Sequence, residues 1–177
     1  MEHHYGPSGP VAAVYAWLDF IKSDNFASAW EGMDDNFRLC RAQAWLWMNR
    51  NHDDIAVLNL EQEAQRLVAV PSRSFLWSDF AVTELDQLHQ AWRRFFDAYE
   101  AGTLGAASQS RVIGPDLEVV VLQDTGTKEA VVYEGETLIR DAFVFTLRMT
   151  SDGWKVAAYG DHLPAPGWPP VRVSVRV

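Results

Sequence analysis

The chain has 177 residues, of which 48% are hydrophobic and 22% charged, the make-up of a folded globular protein, and this excludes extended disorder. Its formal net charge of -9, with no local cluster of Lys and Arg, argues against a nucleic-acid or anionic-membrane partner, whose phosphates would be repelled. A single cysteine, Cys40, excludes an internal disulfide and a Cys-based zinc site.

The length favours one domain, with residues 1–9 as a flexible N-terminal arm and 10–177 as the folded unit. The first residues lack the basic-then-apolar order of a signal peptide. No run approaches the roughly 18 apolar residues of a membrane span. These absences predict a cytoplasmic protein without a membrane partner.

Pro10 suits the first position of a helix, and Val11, Val14, Tyr15, Leu18 and Ile21 follow at helical spacing. That helix is expected to end near Ser23. A second, short helix carries Phe26, Ala29, Trp30 and Met33. A third places Phe37, Cys40, Ala44, Trp47 and Met48 on one face. Asp53 or Asp54 is the expected cap of a fourth, with Val57, Leu60, Ala64, Leu67 and Val68 inward and Pro71 as its stop. Ser78 or Asp79 is the expected cap of a fifth, striped by Leu85, Leu88, Trp92, Phe95, Phe96 and Tyr99 and stopped by Gly102.

After about residue 103 the period changes from helical to two, with turn residues between the runs. Strands are predicted over 108–113, 117–124, 130–133, 138–150 and 154–159. The proline-rich stretch 162–170 is expected not to pair in a sheet. Residues 171–177 alternate Val with polar residues and read as an edge strand. Helices first and a strand meander after them define an α+β fold with an antiparallel sheet.

Two stretches resemble the nuclear transport factor 2-like superfamily, also called SnoaL-like. Residues 14–30, VYAWLDFIKSDNFASAW, resemble its opening helix, Asp-containing break and second helix. Residues 143–149 followed by SDGWKV at 151–156 resemble its last hairpin. The resemblance implies N-terminal helices packed in the concavity of a strongly curved sheet, a cone-shaped pocket and a homodimer. Because that fold hosts isomerases, hydrolases and binding modules alike, it leaves the function open. In the isomerase branch a helix tyrosine and an aspartate carry the chemistry. Anchored on Asp24, those positions fall on Ala16 and near Cys40, so the pair is missing.

The candidate pocket residues are Asp141, Tyr15, Trp30, Trp92, Tyr159 and His89. Asp141 alternates with Ile139, Phe143, Phe145, Leu147 and Met149, which places a carboxylate on an apolar face where its pKa would rise. Tyr15 adjoins the isomerase tyrosine position. Trp30 and Trp92 belong to a set of 8 tryptophans, a number that supplies either core or an aromatic pocket lining. His89 sits at the edge of an apolar helix stripe, and Tyr159 ends the last hairpin. His162 is a further residue near the expected mouth. The histidines lack metal-ligand spacing, so no metal and no cofactor is expected. The function expected is binding of a small apolar ligand. The alternative is a lyase-, isomerase- or hydrolase-type enzyme using Asp141 for acid/base chemistry. The acidic net charge points to neutral or cationic ligands.

Overall fold

The computed structural model describes residues 8–106, 111–126, 130–133, 136–139, 142–160 and 162–174. α1 (Pro10–Lys22) starts on Pro10, whose missing N–H falls where a helix has no internal partner. It stops at Asp24, which takes the left-handed conformation with φ 58°. Asn25 then caps α2 (Phe26–Glu31) by accepting from the Ser28 amide at 3.2 Å. Asp34 caps α3 (Asp35–Asn49) by accepting from the Phe37 amide at 2.7 Å.

The stripe on α3 is rotated from the one expected: Phe37, Cys40, Ala42, Gln43, Trp45 and Leu46 are buried, while Met48 is 76% exposed. The predicted fourth helix is two pieces, α4 (Asp53–Ala56) and α5 (Leu60–Ala69). Asn59 caps the second piece through its bond from Gln62, and Val57, expected inward, is exposed in the break. Pro71 ends that segment as predicted and opens a short 3-10 turn, Pro71–Arg73. α6 (Trp77–Glu100) begins without the expected side-chain cap and ends before Gly102, which has φ 70°.

Among the described residues the strands are β1 (Leu104–Ala106), β2 (Arg111–Val112), β3 (Leu117–Asp124), β4 (Ala130–Tyr133), β5 (Glu136–Ile139), β6 (Ala142–Thr150), β7 (Gly153–Tyr159), β8 (His162–Ala165) and β9 (Val171–Ser174). The main antiparallel sheet runs β1-β3-β6-β7, with β2 pairing on β3 beyond β1. β4-β5 and β8-β9 form separate pairs, so the single strand expected over 138–150 is divided. Opposed residues on one face of a sheet point the same way. That rule puts Val120, Leu122, Phe145, Leu147 and Val156 on the inner face, packed with Trp17, Leu18, Ile21, Leu88, Trp92 and Phe95 of α1 and α6. The fold is therefore α+β, with helices laid on one antiparallel sheet.

Two features of the sheet shape the rest of the molecule. The free edge of β7 is covered by the α2–α3 link: Val156 donates to the Gly32 carbonyl and accepts from the Asp34 amide, both at 2.9 Å. In addition, Thr146 opposes Ala158 while Leu147 opposes Val156, so Ala157 is the extra residue of a β-bulge. The bulge buries Val156, Ala157 and Ala158 in succession and turns Tyr159 onto the inner face, opposite Phe145.

The stretch 162–170 corrects the expectation that its prolines keep it out of a sheet. β8 pairs with β9 in the register Pro164↔Arg172. The Pro164 carbonyl accepts from Asn36 Nδ2 on α3 at 2.8 Å. In an antiparallel strand the N–H and C=O of one residue point the same way, so this position faces α3 and a proline there forfeits no ladder bond. Gly167 donates to Gln43 Oε1 at 3.0 Å and Trp168 Nε1 to Glu61 Oε2 at 2.8 Å, so the hairpin is clasped to α3 and α5.

Asp34 ties these parts together. Besides capping α3, its second oxygen accepts from Arg148 Nε at 3.0 Å, and Arg148 also reaches Asp116 at 2.6 Å. Asp34→Ala removes both bonds and is expected to cost about 2–3 kcal/mol in urea unfolding. Asp34→Asn keeps the cap and is expected to cost about 1 kcal/mol. Equal losses in the two variants would show that the charge, not the cap, carries the effect.

Candidate functional site

On α3, Phe37, Cys40, Arg41 and Ala44 recur at helical spacing and face one way. Opposite them stand Ala158, Tyr159 and Gly160 at the end of β7, His162 and Pro164 of β8, and Val171 and Arg172 of β9. Together they enclose a cleft of about 280 Å³. Its base is apolar and aromatic: the Phe37 and Tyr159 rings meet edge-on at 5.4 Å. Gly160, with φ 95°, makes the turn from β7 toward β8, a conformation that L side chains rarely adopt.

Arg41 organises the polar side of the cleft. Its Nε donates to Glu84 Oε2 of α6 at 2.5 Å, its Nη1 to the Tyr159 hydroxyl at 2.6 Å, and its Nη2 to Gln87 Oε1 at 3.2 Å. A guanidinium has five N–H groups, so two remain beyond these three bonds. The Tyr159 hydroxyl accepts from Arg41 and donates to none of the described residues. Glu84 is 3% exposed, held inside the apolar stripe Phe80, Leu88 and Trp92.

Burial lowers the pKa of Arg41, but the Glu84 carboxylate and Tyr159 outweigh it, and the guanidinium stands above its ordinary value. Burial pushes the Glu84 carboxyl up, and Arg41 returns part of that shift. A carboxyl with a raised pKa holds its proton more tightly folded than unfolded. Its contribution to stability is full below the ordinary carboxylate range and is lost as pH rises through the raised value. Glu84→Gln is therefore expected to fall further below the wild type in acid than at neutral pH. Urea titrations at both conditions test this; a gap that widens toward neutral pH would mean that the ion pair outweighs the burial. Cys40 also lines the cleft, but burial and then Asp34 push its thiol up to about 11, which leaves it protonated and unreactive.

Of the residues singled out from sequence, Tyr159 and His162 line this cleft. Asp141 lies outside the described residues. Tyr15 packs on α6 with its ring 6.4 Å from Tyr99, and burial, then Tyr99, raises its phenol. Trp30 is 1% exposed and donates to the Leu67 carbonyl at 3.2 Å, a core role. Trp92, 6% exposed, stacks on Phe145 at 4.8 Å and meets Tyr159 edge-on at 5.7 Å, so it backs the cleft without lining it. His89 pairs with Asp24 at 2.9 Å across the α1–α2 break. Of the two isomerase positions, Ala16 is exposed and Cys40 is this buried thiol.

Arg41, Glu84 and Arg172 were not reached from the sequence. For the first two a signal exists: Arg41 shares the face of Phe37 and Ala44, and Glu84 lies four residues from both Phe80 and Leu88. A charge inside an apolar stripe demands a partner. Among the described residues no carboxylate lines the cleft, no group of His, Cys, Asp and Glu is placed to hold a metal, and no helix is long and apolar enough to cross a membrane. No protein-family model, no curated protein and no solved structure matches this chain.

Proposed function

We propose that the protein is a small-molecule-binding module of nuclear transport factor 2-like architecture, with its ligand in the cleft between α3, the end of β7 and the β8-β9 hairpin. The observation that carries the reading is Arg41, a half-buried guanidinium with donors unused among the described residues, beside an apolar floor. Clefts that bind small molecules combine a mostly apolar lining with a few fixed polar groups. The order of helices and antiparallel strands supports the family resemblance. Binding is favoured over acid/base catalysis because the described lining holds no carboxylate and its thiol is protonated.

A ligand-observed NMR screen of small aromatic and aliphatic compounds tests the reading. Hits are expected to vanish in Ala44→Phe, which fills the cleft from α3. An absence of hits, or hits that survive this variant, would overturn it.

The same reading places the protein in the cytoplasm as a homodimer. Val171 and Val173 of β9 are 58% and 53% exposed, and among the described residues β9 pairs only with β8. Such an edge favours pairing with a second copy. Sedimentation in dilute buffer checks it, and a monomer would remove it.

A further inference from the structure

The polar groups of the cleft are of one kind. Arg41 offers two unused N–H groups, Tyr159 offers its hydroxyl proton, and Arg172 stands in the lining with no ion pair among the described residues. His162 adds a ring to the same lining. Arg41, Tyr159 and Arg172 present donors to the cleft, and Glu84, the acid bonded to Arg41, lies behind the lining and not in it. On a chain of net charge -9 this is a local reversal of sign. It argues for a different ligand from the neutral or cationic one expected of the overall charge.

Resting on the cleft as the ligand site, we propose that its ligand is a monocarboxylate with a compact apolar body. The carboxylate is received by Arg41 and the Tyr159 hydroxyl, and the body lies against Phe37 and Ala44. A planar, two-oxygen anion matches a guanidinium edge, which presents parallel N–H groups. Glu84 already offsets the charge of Arg41, so the balance suits one negative charge better than the two of a phosphate. Glu84 and Gln87 also hold the guanidinium rigid, so little ordering entropy is lost when the anion arrives. The volume of about 280 Å³ lies just below the usual range of ligand pockets, which fits a single ring or a short chain.

Three matched probes decide it: 3-phenylpropanoate, 3-phenylpropanamide and inorganic phosphate, titrated by calorimetry into the wild type, Tyr159→Phe and Arg172→Gln. The carboxylate is expected to bind about tenfold more tightly than the amide, as a charge-assisted hydrogen bond does over a neutral one, with phosphate weaker than either. Tyr159→Phe is expected to weaken the carboxylate about fivefold and to narrow its lead over the amide. Arg172→Gln is expected to steepen neither ratio but to reduce the salt dependence of carboxylate binding. Equal affinity for carboxylate and amide overturns the inference while the cleft stands as a binding site. Failure of both organic probes, in a wild type whose unfolding is unchanged, removes the cleft reading along with it. Phosphate binding more tightly than the carboxylate overturns the choice of anion.

Discussion

Glu84→Ala is expected to destabilise the protein by about 3 kcal/mol, because it leaves the Arg41 guanidinium largely buried without its carboxylate. Tyr159 and Gln87 remain bonded to the guanidinium, but neither is a carboxylate. Removing both partners reverses the logic. Arg41→Met with Glu84→Leu replaces a desolvated pair by apolar groups that fit the Phe80, Leu88 and Trp92 stripe. It is expected to recover most of the loss. Urea unfolding of the two single variants and the double gives the coupling directly. A cost below about 1 kcal/mol for Glu84→Ala would show that water entering through the cleft solvates Arg41, and the pair would then be no structural strut.

The second large effect separates two tryptophans that sequence cannot tell apart. Trp30 donates to the carbonyl of Leu67, which lies in the last turn of α5, where helix carbonyls lack internal partners. Trp92 is buried among Trp17, Phe95, Phe143, Phe145 and Tyr159, and its indole N–H has no hydrogen-bond partner among the described residues. Both Trp→Phe changes delete part of a ring from the core. Trp30→Phe also orphans a carbonyl, whereas Trp92→Phe removes an unpaired polar group. The first is expected to cost about 3 kcal/mol and the second about 1–2 kcal/mol less. Comparing thermal midpoints of the two variants tests it. Equal losses would mean that ring volume alone sets the cost. Trp92→Ala is a harsher case, expected to cost about 4 kcal/mol, since it empties the space between α6 and the sheet.

The helices before residue 103 and the strands after it were legible because period 3.6 and period two are imposed by which face meets the core. β3 and β4 fall on the runs read from alternation, and α1, α2 and α6 on the apolar stripes. The break between α4 and α5 was not legible, since Asn59 serves equally well as a polar helix surface and as a cap. The pairing of β8 was hidden by Pro164, because the rule against proline in a ladder fails at positions whose N–H faces outward. The site was harder still. Strict alternation from Trp154 puts Tyr159 on the face opposite Val156. A single extra residue, Ala157, puts it on the same face, and an alanine leaves no trace of a bulge in the sequence. Arg41 and Glu84 lie 43 residues apart, and nothing local announces that they meet.

The clasp that holds the β8-β9 hairpin on the helices also sets an order of assembly. Its bonds join Asn36 to Pro164, Gln43 to Gly167 and Glu61 to Trp168, across 128, 124 and 107 residues. Contacts this distant close large loops, and they repay that entropy only after the intervening chain is in place. The core closes an equally large loop where Trp17 meets Phe145; once that is closed, the clasp needs only the short link from β7 to β8, so the cleft wall is expected to form after the helical and sheet core. In a refolding experiment, burial of Trp17 and Trp30 should run ahead of the Arg41–Tyr159 bond. An intermediate with a native core and an open flank would then precede the native state.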